Sequence, residues 1–155
     1  MKTENTNMKL PNDLIGVAGV HFLVSELTLR GLIALPTIRN TAGIDILVSE
    51  PDGTGQASIQ VKTSLKKVDF WPTSRPEKCL KGPRSFYVFL RYIPEEKRFE
   101  AFLVGGDEVA TQIKANQEDY HKRGLKEFAY WALPKADIER QNLRERWEIW
   151  RPPQI

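Results

Sequence analysis

Two short apolar runs separated by a turn constrain the fold of this chain most strongly. Residues 44–49 read IDILVS, and residues 57–63 read ASIQVKT. Between them, residues 51–55 read PDGTG, a composition typical of tight turns. Apolar runs of this length on either side of a turn predict a β-hairpin. The hairpin would bring residue 45 close to residues 60–62.

A helix is predicted ahead of the hairpin, over residues 14–30. Gly31 follows at the position of a C-cap glycine, and Asn12 or Asp13 could cap the start. Apolar residues repeat at helical spacing along one side of the segment, at Val17, Val20, Leu23, Val24 and Leu27. The helix is therefore expected to pack this side against the sheet.

The rest of the chain alternates strands and helices after a polar, basic loop at residues 65–83. The pattern predicts strands at 85–92, 99–104 and 128–133, helices at 108–114 and 137–150, and an irregular or briefly helical stretch at 117–126. This order indicates an α/β (α+β) fold, with helices on a central mixed sheet. We expect one domain over residues 1–155, with residues 1–11 as a tail.

Composition limits the class of protein. The 155 residues are 41% apolar and 28% charged, which suits a folded domain with a core. Cys79 is the single cysteine, so a disulfide framework or thiolate metal cluster within the chain is excluded. The polar N-terminus lacks the apolar region of a signal peptide, and a cytoplasmic protein without membrane spans is expected. The net charge of +3 and pI near 9.0 permit a nucleic-acid partner.

The predicted hairpin carries groups suited to phosphodiester hydrolysis. Gln60 and Lys62 lie two residues apart, so they share one face of the strand. Asp45, Gln60 and the Val61 carbonyl offer hard oxygen ligands for Mg²⁺ or Mn²⁺, and Lys62 offers a positive charge. The competing interpretations are a strand-end aspartate that satisfies a turn and a solvated hairpin face.

The order Asp45, then Gln60-Val61-Lys62 on the next strand, resembles the PD-(D/E)XK nuclease superfamily. Further likeness to small uncharacterised bacterial members lies in Gly16-x-x-Gly19 and in Arg39-Asn40-Thr41 ahead of Gly43-Ile44-Asp45. The resemblance implies a restriction-endonuclease-like αβββαβ core and Mg²⁺-dependent DNA cleavage. Asp45, Gln60 and Val61 would hold the metal, and Lys62 would orient water or stabilise charge on the phosphate.

One position departs from the family pattern. The family helix usually carries glutamate directly after the second glycine, where this chain has Val20. Glu26 is the only carboxylate in the helix body, and two roles remain open for it. It could serve as an auxiliary catalytic acid, or it could form an i,i+4 salt bridge with Arg30. The alternative function is therefore a catalytically impaired module that binds nucleic acid or a partner protein.

Basic and aromatic residues near the hairpin suit contacts with nucleic acid. The candidates for DNA binding are Arg39, Asn40, Lys66, Lys67, Trp71 and Arg75. A mobile solvated loop is the competing interpretation for residues 65–81. The two histidines, His21 and His121, are interpreted as structural or surface residues. DNA is the expected partner, and a homodimer or a subunit that acts with a partner protein both remain open.

Overall fold

A five-stranded mixed sheet forms the centre of the protein. The computed structural model describes residues 10–38, 43–65 and 68–150. Its sheet contains β1 (Ile33–Pro36), β2 (Ile46–Ser49), β3 (Ala57–Ser64), β5 (Ser85–Ile93) and β6 (Arg98–Gly105), in the order β1-β2-β3-β5-β6. The β2–β3 hairpin is antiparallel as predicted, whereas β3 and β5 run parallel. The mixed sheet flanked by helices confirms the predicted fold class.

Helix α1 (Asn12–Leu29) covers one face of the sheet. Gly31 has a φ of 84°, and Leu32 N donates to Leu27 O, so the predicted glycine C-cap is confirmed. The predicted N-cap is wrong, because Pro11 holds that position and no side chain caps the helix. The buried residues that α1 and the sheet share include Leu23, Leu27, Ile46, Val48, Ile59, Val88, Leu90 and Leu103.

An aromatic layer covers the opposite face, over β5 and β6. It is built from α2 (Gly106–Lys122), α3 (Asp137–Leu143) and a small second sheet of β4 (Phe70–Pro72) and β7 (Tyr130–Ala132). The rings of Phe89 and Trp131 stack with centroids 4.1 Å apart. The predicted loop at residues 65–83 therefore contains a strand, and it also contains a 3₁₀ turn at Pro76–Lys78.

Two helix predictions were wrong at their ends. Helix α2 continues past the predicted end at residue 114 to Lys122, into the stretch predicted to be irregular or briefly helical, because Gln112 and Asn116 bond to the backbone of β7. The C-terminal helix ends at Leu143, far short of residue 150. Arg144 instead pairs with Phe102 as an extended residue and binds Glu100 at 2.7 Å.

In the ranges that the structure describes, no helix has the length and apolar character needed to cross a bilayer.

Candidate active site

Strand β3 extends beyond the start of β2, and this overhang is where Asp45 lies. The last residue pair between the two strands joins Ile46 and Ile59, and Asp45 N donates to Ile59 O at 2.9 Å. Asp45 Oδ2 then accepts a hydrogen bond from Val61 N at 2.7 Å. A carboxylate thus replaces the strand partner that Val61 lacks. Because the N–H and C=O of a strand residue point to the same edge, the Val61 carbonyl also faces this side.

The backbone around Asp45 is held from β1 as well. Thr37 N donates to Asp45 O at 2.9 Å, and Thr37 Oγ1 donates to Ile44 O at 2.5 Å. Asp45 is therefore fixed between the ends of two strands. Such backbone support on rigid elements suits a side chain that must hold a ligand in a defined position.

A cleft of about 450 Å³ opens in front of Asp45, between α1 and the ends of β1, β2 and β3. Asp45, Val61 and Lys62 line it together, so the structure brings three of the predicted site residues to one place. Lys62 is half-buried and has no ion pair or hydrogen bond from its ammonium group among residues 10–38, 43–65 and 68–150. The cleft therefore presents a carboxylate and an unneutralised cation side by side.

Gln60 lies behind the cleft and does not line it. Its side chain is 9% exposed and is in register with Tyr87 on the parallel neighbour β5. No described residue forms a hydrogen bond with its amide group. The amide atoms are absent from the buried polar atoms that lack a partner in the described residues, so water or a ligand from outside the chain can reach them.

Tyr87 is a fully buried neighbour of this group. Its hydroxyl accepts a hydrogen bond from Leu80 N at 3.0 Å. Burial raises the pKa of Tyr87 well above its usual range, and the negative charge of Asp45 acts in the same direction. The phenol therefore stays protonated near neutral pH, so it cannot serve as a base there.

The structure separates Glu26 from the cleft. Glu26 Oε2 and Arg30 NH1 form an i,i+4 salt bridge at 2.6 Å, which was the competing interpretation. Val20 lines the cleft instead and also packs against the core. Six residues of helix turn Glu26 about 120° away from Val20 around the axis. Its predicted role as an auxiliary catalytic acid finds no support in this geometry.

Trp71 was wrongly predicted to contact nucleic acid. It is 1% exposed, packs on Trp131 and Phe89, and donates from Nε1 to Leu90 O at 3.0 Å. Trp71 is buried because residues distant in sequence pack against it, although many of the residues near it in sequence are polar. Arg75 is exposed ahead of the 3₁₀ turn and stays a prediction. The predicted contacts Arg39, Asn40, Lys66 and Lys67 lie outside the described residues.

Sequence reasoning missed three polar residues of α1 that line the cleft. These are Asn12, Asp13 and His21. Asp13, Val17 and His21 are spaced four residues apart, which places these three on one helix face. The spacing could be read from the sequence, but polar residues on an exposed helix face usually contact only solvent, so the spacing alone does not indicate a site. Among the described residues, no three His, Cys, Asp or Glu side chains are grouped closely enough to hold a metal.

The comparisons with known proteins support the fold. No protein-family model matches the chain, and no curated protein matches it. The structure of a bacterial homing endonuclease, I-Ssp6803I, is similar over 91% of this chain and 91% of its own, with a TM-score of 0.55 and 13% sequence identity. This similarity shows that the chain has a nuclease-like fold.

Proposed function

We propose that the protein is a Mg²⁺-dependent DNA endonuclease of the PD-(D/E)XK type. One observation carries the proposal: Asp45 is bonded to Val61 N at the open end of β3, next in sequence to Lys62, which forms no ion pair with any described residue and lines the same cleft. The nuclease-like fold supports the same activity.

The donor groups at this place fit Mg²⁺ or Mn²⁺. The Asp45 carboxylate and the Val61 carbonyl would hold the ion, and the Gln60 amide oxygen would support it from behind the cleft. All three are hard oxygen donors, and Mg²⁺ is commonly bound by one or two carboxylates while waters and substrate phosphates complete its shell. The ion would supply polarisation of the phosphate and a more acidic bound water.

The remaining roles belong to the chain's own groups. The Lys62 ammonium would bind a non-bridging oxygen of the scissile phosphate and stabilise the charge that develops there. The Val61 N–H holds the Asp45 carboxylate in place. The cleft would seat the phosphate between the overhanging end of β3 and α1. Glu26 has no part in this proposal, because Arg30 already pairs with it.

A second candidate function is nucleic-acid binding without cleavage. It is favoured by Val20, which lines the cleft where the family helix usually carries glutamate. With valine at this position, Asp45 supplies the single carboxylate among the proposed ligands, and the other proposed ligands are neutral oxygens. A site with a single carboxylate binds a divalent cation more weakly than a site with two.

Cleavage of supercoiled plasmid and of single-stranded DNA in Mg²⁺, Mn²⁺ or EDTA tests the proposal. We expect metal-dependent cleavage by the wild type and a loss of about 10²–10³-fold in Asp45→Asn and Lys62→Met. Lys114→Gln, an exposed lysine on α2, is the matched control and should cleave normally. Equal cleavage by all four proteins would contradict the assigned residues.

Salt-dependent DNA binding without cleavage by the wild type would favour the second candidate. Cleavage gained by Val20→Glu would then identify the missing carboxylate as the cause.

A further inference from the structure

A second groove lies at the other end of β3, on the sheet face that the aromatic layer leaves open. Its volume is about 560 Å³, and it runs between β1, β2, the start of β3 and residues 81–85. Its floor is apolar, and its rim is polar. The residues that define this second groove are Ile33, Leu35, Leu47, Ser49, Gln56, Ser58, Lys81, Arg84 and Ser85.

The rim of the second groove is positively charged. Lys81 and Arg84 line it, and no described aspartate or glutamate does. Arg84 donates to the neutral carbonyls of Gln56 at 3.2 Å and Gly55 at 2.6 Å, so a carboxylate does not neutralise it. Lys81 has no ion pair within the described part of the chain. The carboxylate nearby, Asp107, accepts a hydrogen bond from Gly82 N at 3.0 Å and leaves the rim cationic.

Strand β3 connects the second groove to the cleft at Asp45. Ser58 lines the groove and Lys62 lines the cleft, and both lie on the strand face that also carries Gln60. Four residues of extended strand span about 13 Å at roughly 3.3 Å per residue. A DNA backbone that follows this face of the sheet from the cleft would therefore reach the second groove.

We propose that the second groove binds the phosphodiester backbone of DNA on one side of the scissile phosphate. The inference rests on the proposed function for the identity of the polyanion. Arg84, which its two carbonyl acceptors hold in place, and Lys81 contact the phosphates. The exposed aliphatic floor around Leu47 packs against the sugars. Charge complementarity and continuity along β3 favour a nucleic acid over a second copy of the chain.

Anisotropy of a labelled mixed-sequence duplex in EDTA tests the groove without any need for cleavage. Lys81→Gln should weaken binding several-fold and reduce the slope of log K against log salt by about 0.9, the value for one lost phosphate contact. Leu47→Glu should also weaken binding, because it places a negative charge on the groove floor. Leu47 is 46% exposed, so the change is compatible with folding. Leu47→Gln changes the floor without adding a charge, so it should weaken binding less than Leu47→Glu does. Lys114→Gln is the distant control and should bind as the wild type does.

Shortened substrates locate the contact. Where the wild type cleaves at a defined site, duplexes that end at that site on the side of the second groove should no longer distinguish Lys81→Gln from wild type, whereas those that extend about six nucleotides beyond it should. Absence of DNA binding by the wild type, or wild-type binding by both Lys81→Gln and Leu47→Glu, overturns the inference. The inference is also overturned if Leu47→Gln changes the oligomeric state while Lys81→Gln binds DNA as the wild type does. That result would mean that a second copy of the chain occupies the floor of the second groove. Binding that responds as expected, in a protein that never cleaves, supports the groove and contradicts only the proposed activity.

Discussion

Replacing Gly19 with alanine tests how α1 is held against the strand that carries the site. A Cβ added at Gly19 would lie 2.3 Å from Thr63 Oγ1, 3.2 Å from Thr63 Cγ2 and 3.0 Å from Leu90 Cδ1. Relief of these contacts requires Thr63 to change its χ1 rotamer, Leu90 to shift, or α1 to move away from β3 and widen the cleft between Val20 and Lys62.

Two opposing effects determine the magnitude. Overpacking a core contact costs about 1–3 kcal/mol, whereas glycine to alanine within a helix stabilises by about 1 kcal/mol. We expect Gly19→Ala to destabilise the protein by about 0–2 kcal/mol net. Gly16→Ala is the matched control, one turn earlier on the same helix, where an added Cβ meets nothing within 4 Å. That variant should be stabilised by about 0.5–1 kcal/mol.

Urea denaturation of both variants measures the difference, provided the m-values stay equal. The double mutant with Thr63→Ala should recover at least 1 kcal/mol of the Gly19→Ala cost, as a favourable coupling energy. Equal free energies of unfolding for Gly19→Ala and Gly16→Ala would refute the close approach of α1 to β3. Additive effects of Gly19→Ala and Thr63→Ala would refute the identity of the obstructing side chain.

Two further changes probe charge and burial. Glu100 is 5% exposed and forms salt bridges with Arg91 and Arg144 at 2.7 Å each. Glu100→Gln should therefore lower the free energy of unfolding by about 2–3 kcal/mol in urea denaturation. The control Asp119→Asn changes an exposed ion pair and should lower it by less than about 0.5 kcal/mol. A cost for Glu100→Gln no larger than that of Asp119→Asn would contradict its structural role. Because burial raises the pKa of Tyr87, its stabilisation is complete below the unfolded pKa of about 10 and declines as pH rises above that value. The free energy of unfolding should therefore fall less steeply above pH 10 in Tyr87→Phe, and parallel pH profiles would contradict this.

The hairpin could be predicted because its signals are local. Alternation in residues 44–49 and 57–63 and the turn between them determine the antiparallel pairing. The neighbouring positions of Asp45 and Val61 then follow from strand geometry. The hydrogen bond from Val61 N to the Asp45 carboxylate adds a detail that periodicity does not contain.

Other features depend on partners that are distant in sequence. Trp71 lies among polar and basic neighbours, yet contacts with Phe89 and Trp131 bury it. Helix α2 extends to Lys122 because Gln112 and Asn116 reach the backbone of β7, which local propensity cannot reveal. The cleft positions of Asp13 and His21 likewise depend on where α1 meets the overhanging end of β3.

The central claim is that Asp45 and Val61 hold a divalent cation beside Lys62. Anomalous diffraction from crystals soaked in Mn²⁺ tests it most directly. The account predicts a peak bonded to the Asp45 carboxylate and the Val61 carbonyl, at the roughly 2.0–2.2 Å expected for such a small hard cation, and its loss in Asp45→Asn crystals. A well-diffracting soaked crystal with no peak in this cleft, or with the same peak in Asp45→Asn, would contradict the account.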